Sequence, residues 1–356
     1  MSDSLNTYSQ DAVELLKRLI TTPSFSKEED KTADIIENFL KSKEVLTQRY
    51  LNNIWATNQY FDESKPTILL NSHHDTVRPN KGYTLDPFSP IEKDGKLYGL
   101  GSNDAGGCLV SLIATFLHFY NRQHLKYNLI IAATAEEEIS GSNGVEILLP
   151  RLPNIDFGIV GEPTLMNLAV AEKGLLVLDC TAHGKAGHAA REEGDNAIYK
   201  ALKDIEWFRT YKFDKVSDLL GPMKMSVTII NAGTQHNVVP HECKFTVDIR
   251  VNELYSFDEV LDIIRSNVEC EVQPRSIRLR STAITIDHPI VQAGVDLGRI
   301  YYGSPTTSDK ALMKFPALKM GPGDSARSHT ADEYIFVDEV NDGIRMYIRL
   351  LNRILE

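Results

Sequence analysis

The sequence predicts an α/β protein, with a mostly parallel sheet flanked by helices and an inserted α+β domain. Two observations support this prediction. Short apolar runs alternate with longer segments of helical periodicity up to residue 172 and again after residue 281. Between residues 173 and 280 the predicted order changes to β-α-β-β-α-β, which is typical of a split βαβ domain. A chain of 356 residues is longer than one compact core usually holds, so two domains are expected.

Two amphipathic helices are expected near the start of the chain. Apolar residues recur at helical spacing between residues 10 and 20, and Pro23 ends that helix because proline lacks a backbone N–H. Ser26 and Glu29 have the spacing of a capping box, which predicts that a second helix begins there.

Buried elements follow these two helices. Continuous apolar runs predict strands at residues 67–71, 128–134 and 157–160, and a longer apolar run predicts a helix at 105–120. Because strands and helices alternate, the sheet should be mostly parallel, and loops at the carboxyl ends of its strands are expected to bind ligands.

The pattern changes in the inserted segment and then returns. Strands are predicted at 175–181, 224–230, 244–251 and 271–279, with helices at 195–210 and 256–267. A helix at 288–299, a strand at 317–320 and an amphipathic helix at 337–353 then resume the α/β pattern. The first domain is therefore discontinuous, comprising residues 1–172 and 281–356, around an inserted domain at 173–280.

Composition disfavours several classes of partner and indicates the cellular compartment. The formal net charge of −11 disfavours nucleic acid and anionic membranes. The four cysteines are scattered without a CxxC motif, which predicts reduced, buried thiols in a cytoplasmic protein. The polar first residues predict no signal peptide, and no apolar stretch approaches ~18 residues, so no membrane span is expected.

Acidic and imidazole side chains cluster where the predicted strands end. The clusters are Ser72–Thr76, Gly101–Asp104, Glu136–Glu138, Gly161–Thr164 and Ser328–Thr330. Nitrogen and carboxylate donors without cysteine suit a catalytic rather than a structural Zn²⁺ site. The sequence therefore predicts a hydrolytic metal site at the carboxyl edge of the sheet.

Each cluster also has a plainer interpretation. His73 with Asp75 fits a metal-binding imidazole oriented by a carboxylate, but also a solvated pair in a loop. Asp104 fits a carboxylate shared by two metal ions, but equally a helix N-cap. Three acids after a buried strand are costly unless a cation binds, and adjacent glutamates can supply one ligand and one general base.

Other catalytic motifs are absent from the sequence. It contains no G-x-S-x-G, no H-E-x-x-H and no G-x-x-x-x-G-K-[ST], so serine hydrolases, helical zincins and P-loop NTPases lose support. Gly99 and Gly101 begin a weak dinucleotide-binding pattern, but its third glycine is replaced by Asp104, whose charge would repel a pyrophosphate.

Taken together, the ordered clusters resemble the zinc-dependent aminoacylase/carboxypeptidase family, which includes acetylornithine deacetylase, succinyl-diaminopimelate desuccinylase and glutamate carboxypeptidase. The resemblance extends over nearly the whole chain and implies two zinc ions, for which Co²⁺ can substitute. It further implies that Asp104 bridges the two ions, that Asp75 orients His73 and that Glu137 is the general base. The implied metal ligands are His73, Asp104, Glu138, Glu162 and His329.

The same resemblance assigns roles within the inserted domain. It implies that this domain is a lid that forms a homodimer, with His188 reaching the partner's active site. Asn237 and Arg250 match positions that bind a substrate carboxylate or the oxyanion of the reaction. Leu100 and Ala105 depart from the residues that the family often has, but neither position is a ligand.

The expected function is that of a cytoplasmic dinuclear zinc amidohydrolase acting on a small N-acyl amino acid. An acetylornithine-deacetylase-like role in arginine biosynthesis is the first expectation. The alternatives are an N-succinyl-amino acid desuccinylase, a dipeptidase or aminoacylase, and a metal-free relative that binds peptides without catalysis.

Overall fold

The computed structural model describes residues 3–356, which form two compact units. The first comprises the chain up to Val170 together with Ile284–Tyr302 and Ser308–Glu356, and the second comprises Ala171–Ala283 and Gly303–Thr307. The sequence-based boundaries after residues 172 and 280 differ from these by at most three residues. No pattern in the sequence indicates that Gly303–Thr307 belongs to the second unit.

The elements are numbered in chain order. The helices are α1 (Asp3–Ile20), α2 (Asp30–Ser42), α3 (Gly107–Phe119), α4 (Val145–Leu148), α5 (Ala197–Thr210), α6 (Phe257–Arg265), α7 (Pro289–Asp296) and α8 (Val337–Leu355). The strands are β1 (Gln48–Tyr50), β2 (Asn53–Thr57), β3 (Thr67–His73), β4 (Ile91–Lys93), β5 (Lys96–Tyr98), β6 (Asn128–Thr134), β7 (Phe157–Val160), β8 (Leu168–Glu172), β9 (Gly174–His183), β10 (Gly187–His188), β11 (Lys224–Ala232), β12 (Val238–Val239), β13 (Glu242–Val251), β14 (Glu271–Pro274), β15 (Thr282–Ala283), β16 (Tyr301–Ser304), β17 (Ala317–Lys319) and β18 (Tyr334–Phe336).

The first unit is built on a largely parallel sheet, as the sequence predicts. Its strands lie in the order β1-β2-β6-β3-β7-β17-β8, and β6, β3, β7 and β17 run parallel. Every residue of β3, β6 and β7 is buried, which explains why these strands are continuous apolar runs rather than alternating ones. The carboxyl ends of the four parallel strands therefore meet along one edge.

Helices cover this sheet. The apolar helix α3 packs against β3 and β6 and also contacts α1 and α8. A second cluster of buried side chains joins Trp55, Leu69 and Ile130 of the sheet to Val145 and Leu148 of α4. Burial of this apolar surface supplies the main driving force for the arrangement.

The second unit has the β-α-β-β-α-β order that the sequence predicts. Its antiparallel sheet has the strand order β11-β13-β9-β14. Alternate residues of β9, including Leu176, Leu178 and Cys180, face a core shared with Phe208 of α5 and Val260 of α6. β11 is an edge strand, because it pairs only with β13 among the described residues.

Two predicted elements are shorter in the structure. The strand expected at 271–279 ends at Pro274, which cannot donate a hydrogen bond. The helix expected at 288–299 ends at Asp296, shortly before Gly298 with its left-handed φ of 81°.

The capping box predicted from Ser26 and Glu29 is wrong. Glu29 is itself the N-cap residue of α2, without a capping hydrogen bond from its side chain. The Ser26 hydroxyl instead donates to Asp75 Oδ2 at 2.6 Å. A tertiary contact has therefore replaced the local one.

The prediction of buried, unpaired thiols is confirmed for all four cysteines. Among residues 3–356, no helix combines the length and apolar composition needed to cross a membrane.

Candidate metal centre

Four loops at the carboxyl edge of the sheet carry most of the candidate site. His73 is the last residue of β3, and Glu137 and Glu138 follow β6. Glu162 follows β7, and His329 lies in the loop after β17. β3 pairs in parallel with both β6 and β7, and β17 pairs in parallel with β7, so these loops are neighbours. The topology thus gathers residues that are up to 256 positions apart in the chain.

Asp104 reaches the same place from a different kind of segment. It lies in a π-helical turn, Ser102–Gly106, that leads into α3, and its own backbone is extended (φ −114°, ψ 98°). The N-cap of α3 is Gly106. The plainer interpretation of Asp104 as the residue that caps this helix is therefore wrong.

His73 lies at the centre of a first group of donors. Its Nε2 is 3.4 Å from Asp104 Oδ1, 3.8 Å from Glu162 Oε1 and 4.0 Å from Glu137 Oε2. Two ligands of one tetrahedral zinc ion, each ~2.1 Å from it, would be roughly 3.4 Å apart. These separations are long for hydrogen bonds but suit atoms placed around a common ion.

His329 lies in a second group. Its Nε2 is 3.0 Å from Glu138 Oε2 and 3.5 Å from Asp104 Oδ2. The two carboxylate oxygens of Asp104 therefore face different imidazoles, Oδ1 towards His73 and Oδ2 towards His329. This division is the arrangement that a carboxylate shared by two ions requires.

The imidazole of His73 is prepared to bind through Nε2. Its Nδ1 lies 3.0 Å from the backbone carbonyl oxygen of Asp75 and 3.4 Å from Asp75 Oδ1. A proton on Nδ1 leaves the Nε2 lone pair free, and Nε2 is buried without a hydrogen-bond partner. A buried polar atom without a partner is costly, and a metal ion would satisfy it.

The Asp75 carboxylate has a wider role than orienting His73. It accepts hydrogen bonds from the backbone N–H groups of Glu137 (3.0 Å) and Glu138 (3.1 Å) and from the Ser26 hydroxyl. The nearer acceptor for His73 Nδ1 is the carbonyl oxygen of Asp75. Asp75 thus holds the loop of the two glutamates and the first imidazole in one arrangement.

The three successive glutamates have different surroundings. The carboxylates of Glu137 and Glu138 both lie close to His73, Glu137 beside Glu162 and Glu138 beside Asp104. Glu136 has a left-handed φ of 55°, and its carboxylate instead accepts hydrogen bonds from the backbone and side-chain N–H groups of Asn143. Only the second and third glutamates therefore belong to the site.

The second histidine of the pair, His74, has no nitrogen left for a metal. Its Nδ1 is 2.9 Å from Thr32 Oγ1 and its Nε2 is 2.8 Å from the Asn52 carbonyl oxygen. Because a carbonyl only accepts, Nε2 carries the proton and Nδ1 accepts from the Thr32 hydroxyl. Burial lowers the pKa of His74 to about 4 and keeps it neutral.

The pKa values of three candidate ligands, His73, Glu162 and His329, are raised above their ordinary values. Burial opposes the charged form of His73, but the neighbouring carboxylates of Asp104 and Asp75 raise its pKa well above 6.5. The hydrogen bond to Glu138 raises the pKa of His329 to about 9. Burial raises the pKa of Glu162 to about 8, although the Lys319 ammonium acts in the opposite direction. A metal ion would therefore compete with protons for these groups.

Buried acids around the site were not foreseen from the sequence. Glu29 accepts from the Glu136 N–H at 3.2 Å, and Asp309 accepts from Asn71 Nδ2 at 2.9 Å and from Thr134 Oγ1 at 2.8 Å. Glu333 accepts three backbone N–H groups of the Asp104 turn. In the sequence, Glu29 has the spacing of a capping box, whereas no pattern marks Asp309 or Glu333.

The remaining candidates lie in the second unit. His188 is exposed on β10, which pairs with β12, and the Asn237 carbonyl oxygen accepts from the N–H of Ala189. The backbone thus brings His188 and Asn237 together. Arg250 binds both carboxylate oxygens of Asp248 (2.8 and 3.0 Å) and lies 3.4 Å from Thr307 Oγ1.

A cavity adjoins the second imidazole. It has a volume of about 240 Å³, and its lining includes Arg78, Tyr83, Leu100 and His329. A larger cavity of about 570 Å³ lies beside α8 and is bordered by none of the candidate ligands. The smaller cavity is therefore the one that adjoins the candidate metal centre, because His329 lines it.

Comparison with known proteins gives a consistent result. Residues 69–353 match peptidase family M20/M25/M40. The chain is 31% identical over 276 residues to a succinyl-diaminopimelate desuccinylase of Buchnera aphidicola, covering 71% of this chain and 72% of the relative. It is 28% identical to an acetylornithine deacetylase of Proteus mirabilis, covering 91% of both chains. A dinuclear metal-binding M20 peptidase from Bacillus subtilis has a similar fold, with a TM-score of 0.73 at 17% identity over 98% of this chain and 99% of that one. The chain therefore belongs to the M20/M25/M40 family of metallopeptidases.

Proposed function

We propose that the protein is a dinuclear zinc amidohydrolase that removes the acyl group from a small N-acyl amino acid. The observation that carries this proposal is the position of Asp104 between two imidazoles, 3.4 Å from His73 and 3.5 Å from His329 through different oxygens. One oxygen for each ion is what a shared carboxylate needs. Two such ions suit the hydrolysis of an unactivated amide.

The donor set divides into two groups. His73, Glu162 and Asp104 Oδ1 would hold one ion, and His329, Glu138 and Asp104 Oδ2 the other. Imidazole and carboxylate donors without thiolate suit Zn²⁺, and Co²⁺ accepts the same donors. When bound, such ions polarise a carbonyl oxygen and make water more acidic.

Glu137 is the proposed general base. Its carboxylate lies beside His73 and Glu162, and its backbone N–H is held by Asp75. It would accept the proton of the attacking water and return it to the amine that leaves. Burial raises the pKa of Glu137 well above its ordinary value, so positive charge bound beside it would favour the ionised form that a base needs.

The acyl group is the finer part of the proposal. Acetylornithine deacetylation in arginine biosynthesis remains our first proposal, supported by the relative that covers 91% of this chain. Removal of an N-succinyl group is supported by the relative with 31% identity. A dipeptidase or general aminoacylase is the next alternative, and a metal-free binding relative is the alternative without catalysis.

We further propose a cytoplasmic homodimer in which the second unit supplies substrate contacts. The edge strand β11 exposes Ile229 (49%) and Ile230 (51%), and an exposed apolar edge supports pairing with a second copy. Exposed His188, with Asn237 beside it, would then be available to a partner's site. The buried, unpaired thiols support a reducing compartment.

The test is a screen of N-acetyl-amino acids, N-succinyl-amino acids and dipeptides, with release of free amine as the readout. The proposal predicts that a chelator abolishes activity and that Zn²⁺ or Co²⁺ restores it, with about two ions bound per chain by elemental analysis. Full activity in metal-free protein would refute the proposal. A protein that binds two ions but hydrolyses only dipeptides would favour the peptidase alternative.

A further inference from the structure

Three buried carboxylates hold the backbone of the loops that present the acidic donors. Asp75 holds the N–H groups of Glu137 and Glu138, and Glu29 holds that of Glu136. Glu333 does the same for the turn that carries Asp104. In these hydrogen bonds, Glu29 and Glu333 contact the backbone of the loops and not the side chains of the donors. They therefore act on the position of the donors through the backbone.

Glu333 makes the most extensive set of these contacts. Its Oε1 accepts from the N–H groups of Asn103 (2.8 Å) and Asp104 (2.9 Å), and its Oε2 accepts from that of Gly101 (3.2 Å). Its own carbonyl oxygen accepts from the N–H of Gly99 at 2.9 Å. Glu333 thus accepts four hydrogen bonds from the segment that ends at Asp104.

The position of Glu333 in the chain links two parts of the site. It lies four residues after His329, and it is only 2% exposed. The contact therefore ties the loop that carries the second imidazole to the turn that carries the shared carboxylate. Residues that touch neither ion but orient a ligand typically change metal affinity by ~10- to 100-fold when replaced.

The choice of a carboxylate is itself informative. Burying a negative charge near Asp104 is unfavourable by itself, because like charges repel in a poorly solvated site. A carboxylate can accept three N–H groups through two oxygens, whereas an amide would turn an NH₂ group towards one of these donors. Cations bound nearby would offset the repulsion.

We propose that Glu333 is a positioning residue, which sets the direction of the Asp104 carboxylate so that its two oxygens serve two metal ions. This inference rests on the proposed function only in that the site binds two divalent ions. It assigns Glu333 no contact with substrate.

The experiment compares the full-length wild type with Glu333→Gln and Glu333→Asp. The first variant removes the charge and one acceptor, and the second keeps the charge but withdraws it by one methylene. The matched control is Asp204→Asn in the second unit, because Asp204 is also a buried carboxylate (4% exposed) that accepts two backbone N–H groups, from Glu269 at 3.1 Å and Cys270 at 2.9 Å.

Metal-free protein is titrated with Co²⁺, and stoichiometry, affinity and the visible absorption spectrum are measured, alongside circular dichroism as a check of folding. We expect both Glu333 variants to weaken binding of at least one ion by ~10- to 100-fold and to alter the cobalt spectrum. Asp204→Asn should bind Co²⁺ as the wild type does. Weakening in Glu333→Gln alone would indicate that only charge matters and would overturn a positioning role.

Wild-type affinity and spectrum in both variants would also overturn the inference, while leaving the proposed function intact. A wild type that binds no Co²⁺ would instead overturn the proposed function, and this inference with it. If Glu333→Gln does not fold, Glu333→Asp is judged by the same titration and the same criterion.

Discussion

Protonation of His74 should destabilise the folded protein below neutral pH. The imidazole is 6% exposed and is held between Thr32 Oγ1 and the Asn52 carbonyl oxygen in its neutral form. Burial lowers its pKa from 6.5 to about 4, so the unfolded chain takes up a proton more readily than the folded one. The stability contributed by neutral His74 is therefore fully present above pH 6.5 and is lost as the pH falls towards 4.

The size of the effect follows from the pKa difference. Each pKa unit corresponds to about 1.4 kcal/mol, so the full effect of His74 is ~3 kcal/mol, of which ~2 kcal/mol would be lost between pH 7 and pH 5. His74→Gln removes this dependence, because an amide can keep both hydrogen bonds but does not titrate.

Urea unfolding of metal-free protein at a series of pH values measures the prediction. The wild type should lose ~2 kcal/mol more than His74→Gln between pH 7 and pH 5. His236→Gln, at an exposed histidine of the second unit, is the control and should follow the wild type. Parallel stability curves for the wild type and His74→Gln would refute the reasoning. His74→Gln should also retain its metal ions, because neither ring nitrogen of His74 is free to bind one.

Three further predictions concern the site itself. Glu137→Gln should lower kcat by several orders of magnitude with unchanged metal content, whereas Glu138→Gln should also lose metal by elemental analysis; the reverse pattern would show that the two roles are exchanged. Metal binding at pH 7 should release protons, because the pKa of His329 is raised to about 9 and that of Glu162 to about 8, so affinity should rise as the pH increases towards these values. Calorimetric titration in buffers of different ionisation enthalpy measures that release, and a result independent of the buffer would contradict it. Finally, mixing Glu137→Gln with His188→Ala subunits should restore activity if His188 serves a partner's site, since each mixed dimer has one site with both residues intact. Loss of a donor to the oxyanion typically lowers kcat by ~10²–10³, so the His188→Ala subunits alone should be nearly inactive. A mixture that stays inactive despite demonstrated subunit exchange would show that His188 does not serve a partner's site.

Much of the architecture was predictable because it depends on patterns that persist along the chain. The strands β3, β6 and β7 are buried on both faces, so they are apolar without interruption and recognisable from the sequence. Since parallel strands end at one edge, the polar residues that follow them were expected to meet, and the structure places His73, Glu138 and Glu162 there. Their assignment as metal ligands stays a proposal.

Local signals failed where a tertiary contact competed with them. Ser26 and Glu29 have the spacing of a capping box, yet the Ser26 hydroxyl donates to Asp75 and Glu29 binds the loop of Glu136. Spacing alone does not distinguish these outcomes, because the same side chains can satisfy either set of donors and acceptors.

The fold class, the order of the elements and the edge of the sheet that carries the candidate site were predictable from the sequence, because hydrophobic periodicity and strand ends are properties of the linear chain. The folded structure was needed to show how Asp104 turns one oxygen to each imidazole, why neither ring nitrogen of His74 is free to bind a metal, and which buried acids hold the loops. Glu333 is 229 residues from Asp104 in the chain, so no local pattern could pair them. Such contacts form between side chains and backbone groups that only the packed sheet and helices bring within hydrogen-bonding distance.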